Sequence, residues 1–346
     1  MAGRIDVGVL GATGMVGQQF MARLADHPWF DLRWLGASER SEGKLYVDAA
    51  PWRLSTPIPE RCRSLRVSAC VPAQAPKVLF SALDANAADE LEHQFAAAGH
   101  IVLSNARTHR MDPLVPLLIP EINASHLDLL KDQRQLKGWP GAIVTNPNCA
   151  AVVLAMALAP LRQFGLRRVL VSTMQAVSGA GYPGVPSLDI LGNIIPFIGG
   201  GEEDKIERET LKILGDGRHA HAAVVSAAVT RVPVVDGHSM TVSVDLEARP
   251  DPEEVTVAMR RFCGRPQELR LPSAPNPPLV VMDLETRPQP RLDAGLGDGM
   301  TVSVGRVRSC PVLTHKFFAL GHNTIRGAAG ASVLNAELMQ AEGLLA

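Results

Sequence analysis

The chain has 346 residues, 46% hydrophobic and 20% charged, with 34 basic and 35 acidic side chains and a formal net charge of −1. That length and apolar content support a large core in one or two domains, and the balanced charge offers no general attraction for nucleic acid or an anionic membrane surface. The longest apolar run, residues 150–160, is shorter than the roughly 20 residues that a bilayer span needs. Five cysteines without a CxxC pair indicate neither a disulfide framework nor a zinc ribbon. Only four residues precede Ile5, too few for a signal peptide ahead of the first strand. The expectation is a cytoplasmic globular protein.

Residues 4–10 are a short β-rich apolar run. A glycine turn, Gly11-Ala12-Thr13-Gly14-Met15-Val16-Gly17, and an amphipathic helix over 18–24 follow, which together make the first half of a βαβ unit. Apolar strands are expected at 32–37, 78–82 and 101–104, with a helix at 87–99 between the last two. Strands alternating with helices imply a doubly wound, Rossmann-type parallel sheet over residues 1–148. After Cys149 the pattern changes. A helix is expected at 150–164, a strand at 169–176, a Gly/Pro-rich loop at 178–186 and a charged helix at 202–214. Alternating runs at 229–235, 239–246 and 300–307 then read as a mixed or antiparallel sheet, so residues 149–326 form a second, α+β domain. Stretches 271–278 and 286–299 read as loops, and a last helix covers about 327–342.

Gly8, Gly11, Gly14 and Gly17 recur every three residues between a strand and a helix. Small residues there let the backbone approach a pyrophosphate, and the helix N-terminus supplies amide groups and partial positive charge. Gly11, Thr13, Gly14, Met15 and Val16 are therefore candidate dinucleotide contacts. At the end of the second strand, Ser38, Arg40 and Ser41 favour the 2′-phosphate of NADP, while Glu39 and Glu42 pull toward NAD. The reading favours NADP; the plainer alternative makes Arg40 and Lys44 part of a solvated loop.

Thr145-Asn146-Pro147-Asn148-Cys149 leads into the apolar helix. A thiol at a helix N-terminus is acidified, and the same amides together with Asn148 are placed to hold an oxyanion. The plainer alternative is a small core cysteine. A nucleophilic thiol beside a nicotinamide implies aldehyde or acyl chemistry, which needs an acid/base and a substrate anchor. Residues 231–238, Arg231-Val232-Pro233-Val234-Val235-Asp236-Gly237-His238, carry both types on one hairpin-like element. Each also has an ordinary structural reading as a turn residue.

Taken together, these motifs resemble the aspartate-β-semialdehyde dehydrogenase family, most of all its archaeal and fungal branch. The resemblance runs nearly end to end. It includes the glycine turn, Asn105-Ala106-Arg107-Thr108-His109-Arg110-Met111, Asn146 to Cys149, Gln175 to Gly184, Glu202-Glu203-Asp204-Lys205, Arg231 to His238 and Asn323 to Gly330. It implies NADPH-dependent reductive dephosphorylation of L-aspartyl 4-phosphate, or the reverse, in the aspartate pathway to lysine, threonine and methionine. By that resemblance Cys149 is the nucleophile, His238 the acid/base and Gln175 the residue that orients the substrate. Arg231 clamps the substrate carboxylate, Glu202 pairs with its ammonium, Asn148 adds a contact, and Lys205 holds phosphate with Arg110. Ser81, Ser178, Gly179 and Asn323 fall on the cofactor side, with Asn105 on the cofactor or phosphate side. No metal is implied. The resemblance further implies a homodimer or homotetramer built through the second domain, with the final helix, 327–346, returning to the first.

Two departures stand out. Ala150-Ala151 follows the cysteine where the family usually carries Ser or Thr, and Gly192 occupies a commonly acidic place. Competing readings are a malonyl-CoA or succinyl-CoA reductase of the same branch, N-acetylglutamyl-phosphate reductase, and a non-catalytic nucleotide-binding paralogue. Glu202, Lys205 and Arg110 argue against the first, the motifs at the turn and cysteine against the second, and retention of Cys149 and His238 against the third. Without the resemblance, Glu202 and Lys205 would read as an exposed helix ion pair. A metal site at His219-Ala220-His221, or at Cys62 and Cys70, has no supporting cluster.

Overall fold

The computed structural model describes residues 3–345. The chain divides into two compact units. One takes residues up to Leu118, Ser125–Asn146 and the stretch from Ala328 onward; the other takes Ile119–Ala124 and Pro147–Gly327.

The first unit is built on six strands: β1 (Ile5–Leu10), β2 (Phe30–Gly36), β3 (Val67–Ser68), β4 (Val78–Ser81), β5 (Ile101–Ser104) and β6 (Ala142–Thr145). Their order is β3-β2-β1-β4-β5-β6 and every pairing is parallel. Connection direction reverses between β1 and β4, which opens a crevice at their C-terminal ends, the place where doubly wound sheets bind ligands. Both faces are covered. Leu10, Trp34, Leu79, Val102 and Ile143 pack with Phe95 and Ala96 of the helix Ala85–Ala97. Phe20, from the helix Met15–Leu24, lies against Phe80 with ring centroids 5.1 Å apart. Double coverage is why β4, β5 and β6 read as short, nearly unbroken apolar runs.

Gly8 proves to be different from the other three glycines. It sits inside β1, where a Cβ would come within 2.8 Å of Leu79 and Trp34, so it serves sheet packing and not the turn. The helix Gly330–Ala341 also lies in this unit; its buried Glu337 meets His27 at 2.7 Å. It starts later than expected because a wider turn, Ile325–Ala329, precedes it.

The second unit carries β7 (Leu166–Gln175), β8 (Ile195–Pro196), β9 (Val224–Arg231), β10 (His238–Leu246), β11 (Leu279–Met282), β12 (Val302–Ser309) and β13 (His315–Gly321). They form one mixed sheet, β11-β12-β13-β10-β7-β9-β8, in which β7–β9 and β11–β12 are parallel. The helix Cys149–Leu158 packs on β10, β12 and β13 and also on the helix Glu202–Leu214. From Ala150 to Leu158 every one of its residues is buried. The expected strand at 229–235 starts earlier and stops at Arg231. Pro233 cannot donate to a ladder, and Val234 instead turns back to the carbonyl of Val232. The expected loop at 286–299 contains a turn of helix, Pro290–Asp293, tied down by Arg287 and Asp293.

Candidate active site and dinucleotide cavity

In the first unit a cavity of about 800 Å³ opens at the end of β1, lined by Gly11, Thr13, Gly14, Ser38, Glu39, Arg40 and Glu42, with Ala82, Leu83, Ala87 and Leu91 opposite. Gly11 has φ +73, and a Cβ on it would meet the Ala82 carbonyl oxygen at 2.7 Å, so this turn requires glycine. A Cβ on Gly17 would strike the Gly11 and Ala12 carbonyls, which sets how close the helix can come to the turn. Gly14 is open by comparison, and no side chain caps the helix Met15–Leu24 that it begins. An uncapped helix start with no acidic residue in its first turn fits a phosphate group.

Of the expected cofactor residues here, Gly11, Thr13, Gly14, Ser38 and Arg40 line the cavity, whereas Met15, Val16 and Ser41 do not. Ser81 is a correction. Its side chain is sealed inside the sheet beside Glu92, and the wall is made instead by its neighbours Ala82 and Leu83. Arg110 and Asn105 also belong to this unit. Arg110 donates from Nη2 to the Asn105 carbonyl at 2.7 Å, and Asn105 Oδ1 accepts from Asn146 Nδ2 at 3.1 Å.

The second unit brings Cys149, His238, Gln175, Arg231, Glu202, Lys205 and Asn148 into one network. Cys149 is the first residue of the helix Cys149–Leu158, and its Sγ lies 3.1 Å from His238 Nε2. His238 opens β10, and its Nδ1 accepts the Ala176 amide at 3.1 Å. That amide can only donate, so the neutral ring carries its proton on Nε2, facing the sulfur. Burial, reinforced by Arg231, pushes the imidazole down to about 3 and keeps it neutral. Arg231, at the end of β9, donates to the Ala176 carbonyl at 2.8 Å; burial lowers its pKa. Gly179 closes over this pair, and a Cβ there would stand 3.0 Å from both Arg231 Nη1 and His238 Cε1.

Glu202 and Lys205 are ion-paired at 2.6 Å, but Glu202 is only 6% exposed, so this is not the exposed pair of the plainer reading. Burial pushes the Glu202 carboxyl up, and Lys205, Asn148 and Gln175 together outweigh it, leaving the group below the usual carboxylate range. Gln175, buried at the end of β7, donates to Thr173 Oγ1 at 3.3 Å.

Asn148 overturns one expectation and answers one departure. Its Oδ1 accepts the amides of Ala150 and Ala151 at 2.9 and 3.1 Å, and its Nδ2 donates to Glu202 at 2.8 Å. Those donors are engaged in capping, so they do not form the oxyanion site read from the sequence. The same cap explains how the helix start does without a hydroxyl at residues 150 and 151. Gly192 has φ +68 in an exposed loop, a conformation that an acidic residue would strain. Asn323 joins Ser178: its Nδ2 donates to Ser178 Oγ at 2.7 Å, and its Oδ1 accepts the Gly237 amide at 2.8 Å.

Several buried carboxylates escaped the sequence reading, Glu209 and Glu92 among them. Glu209 accepts the Asn148 amide at 2.5 Å. The signal was present, because Glu202, Ile206, Glu209 and Ile213 fall on one helix face and all are buried. Glu92 accepts from Ser104 Oγ at 2.7 Å, and burial raises it to about 7. Among the described residues, no group of three or more His, Cys, Asp or Glu could hold a metal ion, and no helix is long and apolar enough to cross a membrane.

A dinucleotide-type domain and a second domain bearing a paired thiol and imidazole define a class of cysteine-dependent oxidoreductases. Residues 6–130 match the semialdehyde dehydrogenase NAD binding domain and residues 158–326 the semialdehyde dehydrogenase dimerisation domain. The aspartate-semialdehyde dehydrogenase of Archaeoglobus fulgidus is 49% identical over 99% of this chain and 100% of its own. That of Methanothermobacter thermautotrophicus is 51% identical over 97% and 99%. The solved structure of the Candida albicans aspartate-semialdehyde dehydrogenase with NADP is 40% identical, with a TM-score of 0.90 over 99% of this chain and 100% of that one. The chain belongs to the semialdehyde dehydrogenase family.

Proposed function

We propose that this chain catalyses NADPH-dependent reductive dephosphorylation of L-aspartyl 4-phosphate to L-aspartate 4-semialdehyde and phosphate, or the reverse, through a thioacyl intermediate on Cys149. The similar proteins of Archaeoglobus, Methanothermobacter and Candida are named aspartate-semialdehyde dehydrogenases, and the Candida one is solved with NADP, which supports this reading. The observation that carries it is the approach of Cys149 Sγ to His238 Nε2 at 3.1 Å in a chain of this family. In the aspartate pathway this step leads toward lysine, threonine and methionine.

The Cys149 thiol loses its proton to solvent, and the thiolate attacks the acyl carbon. The C–O bond to phosphate breaks, phosphate leaves with the electron pair, and the thioester remains on the sulfur. After reduction of the acyl carbon, the C–S bond breaks to release the semialdehyde and regenerate the thiolate. Gly11, Thr13 and Gly14 would hold the pyrophosphate of NADPH, and Ser38 and Arg40 its 2′-phosphate; the cofactor would supply the hydride when bound. His238 presents its Nε2–H to the sulfur and to the developing oxyanion, acting as a fixed donor as long as Ala176 occupies Nδ1. Arg231 takes the substrate carboxylate with the part of its fork not used by Ala176. Glu202, held ionised, takes the ammonium, which frees Lys205 for phosphate. Gln175 orients the acyl group beside Glu202. Ser178 and Asn323, joined by a hydrogen bond, and the adjacent Gly179 would contact the cofactor. A CoA-thioester reductase would have no use for a charged, buried Glu202, which disfavours that alternative.

We further place the protein in the cytoplasm as a homo-oligomer. Exposed Leu170 and Val224, on one face of β7 and β9, support an interface through the second unit, as does the match to a dimerisation domain. Sedimentation as a monomer at micromolar concentration would refute it.

The test of the activity is nicotinamide absorbance with purified protein, aspartate semialdehyde, phosphate and NADP, run beside malonyl-CoA with NADPH. Phosphate-dependent turnover of the semialdehyde, abolished in Cys149→Ser while NADP binding persists, supports the proposal. Activity with the CoA thioester alone refutes the substrate assignment.

A further inference from the structure

We propose that Glu209 is a positioning residue for the nucleophile: its carboxylate holds the amide of Asn148 and so fixes the turn that carries Cys149. The proposal rests on the reading of Cys149 as the nucleophile.

Glu209 is 1% exposed and shares its helix face with Ile206 and Ile213, a setting that would accept a leucine. A carboxylate there must be compensated by strong hydrogen bonds. It accepts the Asn148 amide at 2.5 Å, a charge-assisted bond to the residue next to the sulfur. Two turns earlier on the same helix, Glu202 takes Asn148 Nδ2 at 2.8 Å. One helix therefore grips Asn148 by its backbone and by its side chain, from two residues whose main-chain positions rise about 10 Å apart along the axis. The remaining side-chain polar atom, Oδ1, caps Ala150 and Ala151.

Releasing the backbone grip would let Asn148 rotate. The cap on the helix Cys149–Leu158 would loosen, and Cys149 Sγ would leave its 3.1 Å station beside His238. Glu209 thus ties the nucleophile turn to the helix that carries Glu202, keeping sulfur and substrate ammonium in one register. It acts through Asn148 and touches neither substrate nor cofactor.

The experiment compares Glu209→Ala and Glu209→Gln with the unaltered protein in four readouts: kcat, KM for the semialdehyde, NADP binding, and the rate at which iodoacetamide alkylates Cys149. Glu209→Ala is expected to lower kcat on the order of 100-fold, the scale for a reacting atom misplaced by about 1 Å, and to slow alkylation at Cys149. KM and NADP binding should change by less than about threefold, because no binding group is lost. Glu209→Gln keeps a carbonyl acceptor at the same reach and should recover kcat to within about tenfold. Wild-type kcat and alkylation in Glu209→Ala would overturn the proposal, as would a loss confined to KM, or a glutamine variant as poor as the alanine one. If Glu209→Ala fails to fold, Glu209→Asp, one methylene shorter, takes its place with the same expectations. The unaltered protein assayed alongside separates the two ideas: its silence with semialdehyde, phosphate and NADP refutes the proposed reaction, while the alkylation comparison still decides the role of Glu209.

Discussion

Gly327 lies so close to Cys149 that a Cβ on Gly327 would stand 2.6 Å from the Cβ of Cys149. Its backbone is not in the left-handed region, so the requirement for glycine is one of space alone. The approach is enforced from behind. Arg326, fully buried, forks onto Glu121 at 2.7 and 2.8 Å, and the Gly327 amide donates to His322 at 2.9 Å. With the main chain held at that point, an added methyl has to push Cys149 instead.

Gly327→Ala is therefore expected to fold with a stability loss of about 1–3 kcal/mol, the usual cost of overpacking. Its kcat should fall about 10- to 100-fold through the displaced sulfur. Thermal melts and steady-state kinetics check both, and an unaltered kcat would show that the helix start yields without moving Sγ.

The glycine turn, the Cys149 turn and the helix Glu202–Leu214 were legible because each is marked locally, by small residues, by Asn and Pro before an apolar run, or by period and charge. That helix agrees with its expected bounds at both ends. Its function was half hidden. A run of Glu, Asp, Lys and Arg reads as a solvated face, and only packing turns Glu202 and Glu209 inward. The Glu121–Arg326 pair joins positions 205 residues apart, a separation invisible to any local pattern. Gly8 misled for the opposite reason: its spacing matched the turn, while the pleat put it in the sheet. Asn148 was placed at the site by motif, but which donors it would consume depends on geometry, and the oxyanion reading failed there.

Arg231→Lys should damage substrate binding far more than cofactor binding. The guanidinium has one arm on the Ala176 carbonyl and needs the rest of its planar fork for a carboxylate. A lysine ammonium is a compact point charge without the planar fork that meets a carboxylate through two parallel bonds. KM for the semialdehyde should rise at least about tenfold, with the Kd for NADP within about twofold, as a lost charge-assisted bond implies. Equal losses in both would remove Arg231 from the substrate site.

Glu92 makes stability depend on pH. Burial raises its carboxyl from 4.5 to about 7, so the folded protein holds a proton that the unfolded chain gives up. The stabilising contribution is complete below about 4.5 and is lost as pH rises through about 7, with a ceiling on the order of 3 kcal/mol. Glu92→Gln, which stays neutral and can still accept from Ser104, should flatten the fall in melting temperature between pH 5 and 8. Parallel slopes in the two proteins would mean that Glu92 is ionised at both ends of that range.

His238 sets the opposite expectation for activity. Burial, with Arg231 adding to it, pushes the ring to about 3, and the Ala176 amide keeps the proton on Nε2. Protonating Nδ1 would turn an acceptor into a second donor facing an N–H, so the imidazolium is disfavoured by geometry as well as by burial. Between pH 5.5 and 8.5 the profile of kcat/KM should carry no inflection belonging to His238. His238→Gln, which can still offer an N–H to the sulfur, should lower the whole profile about 10- to 1,000-fold without changing its shape, the range seen when one transition-state donor is weakened. An acidic limb near 6.5 in the unaltered protein that vanishes in His238→Gln would show instead that the ring exchanges protons during turnover, and that the Ala176 hydrogen bond breaks to allow it.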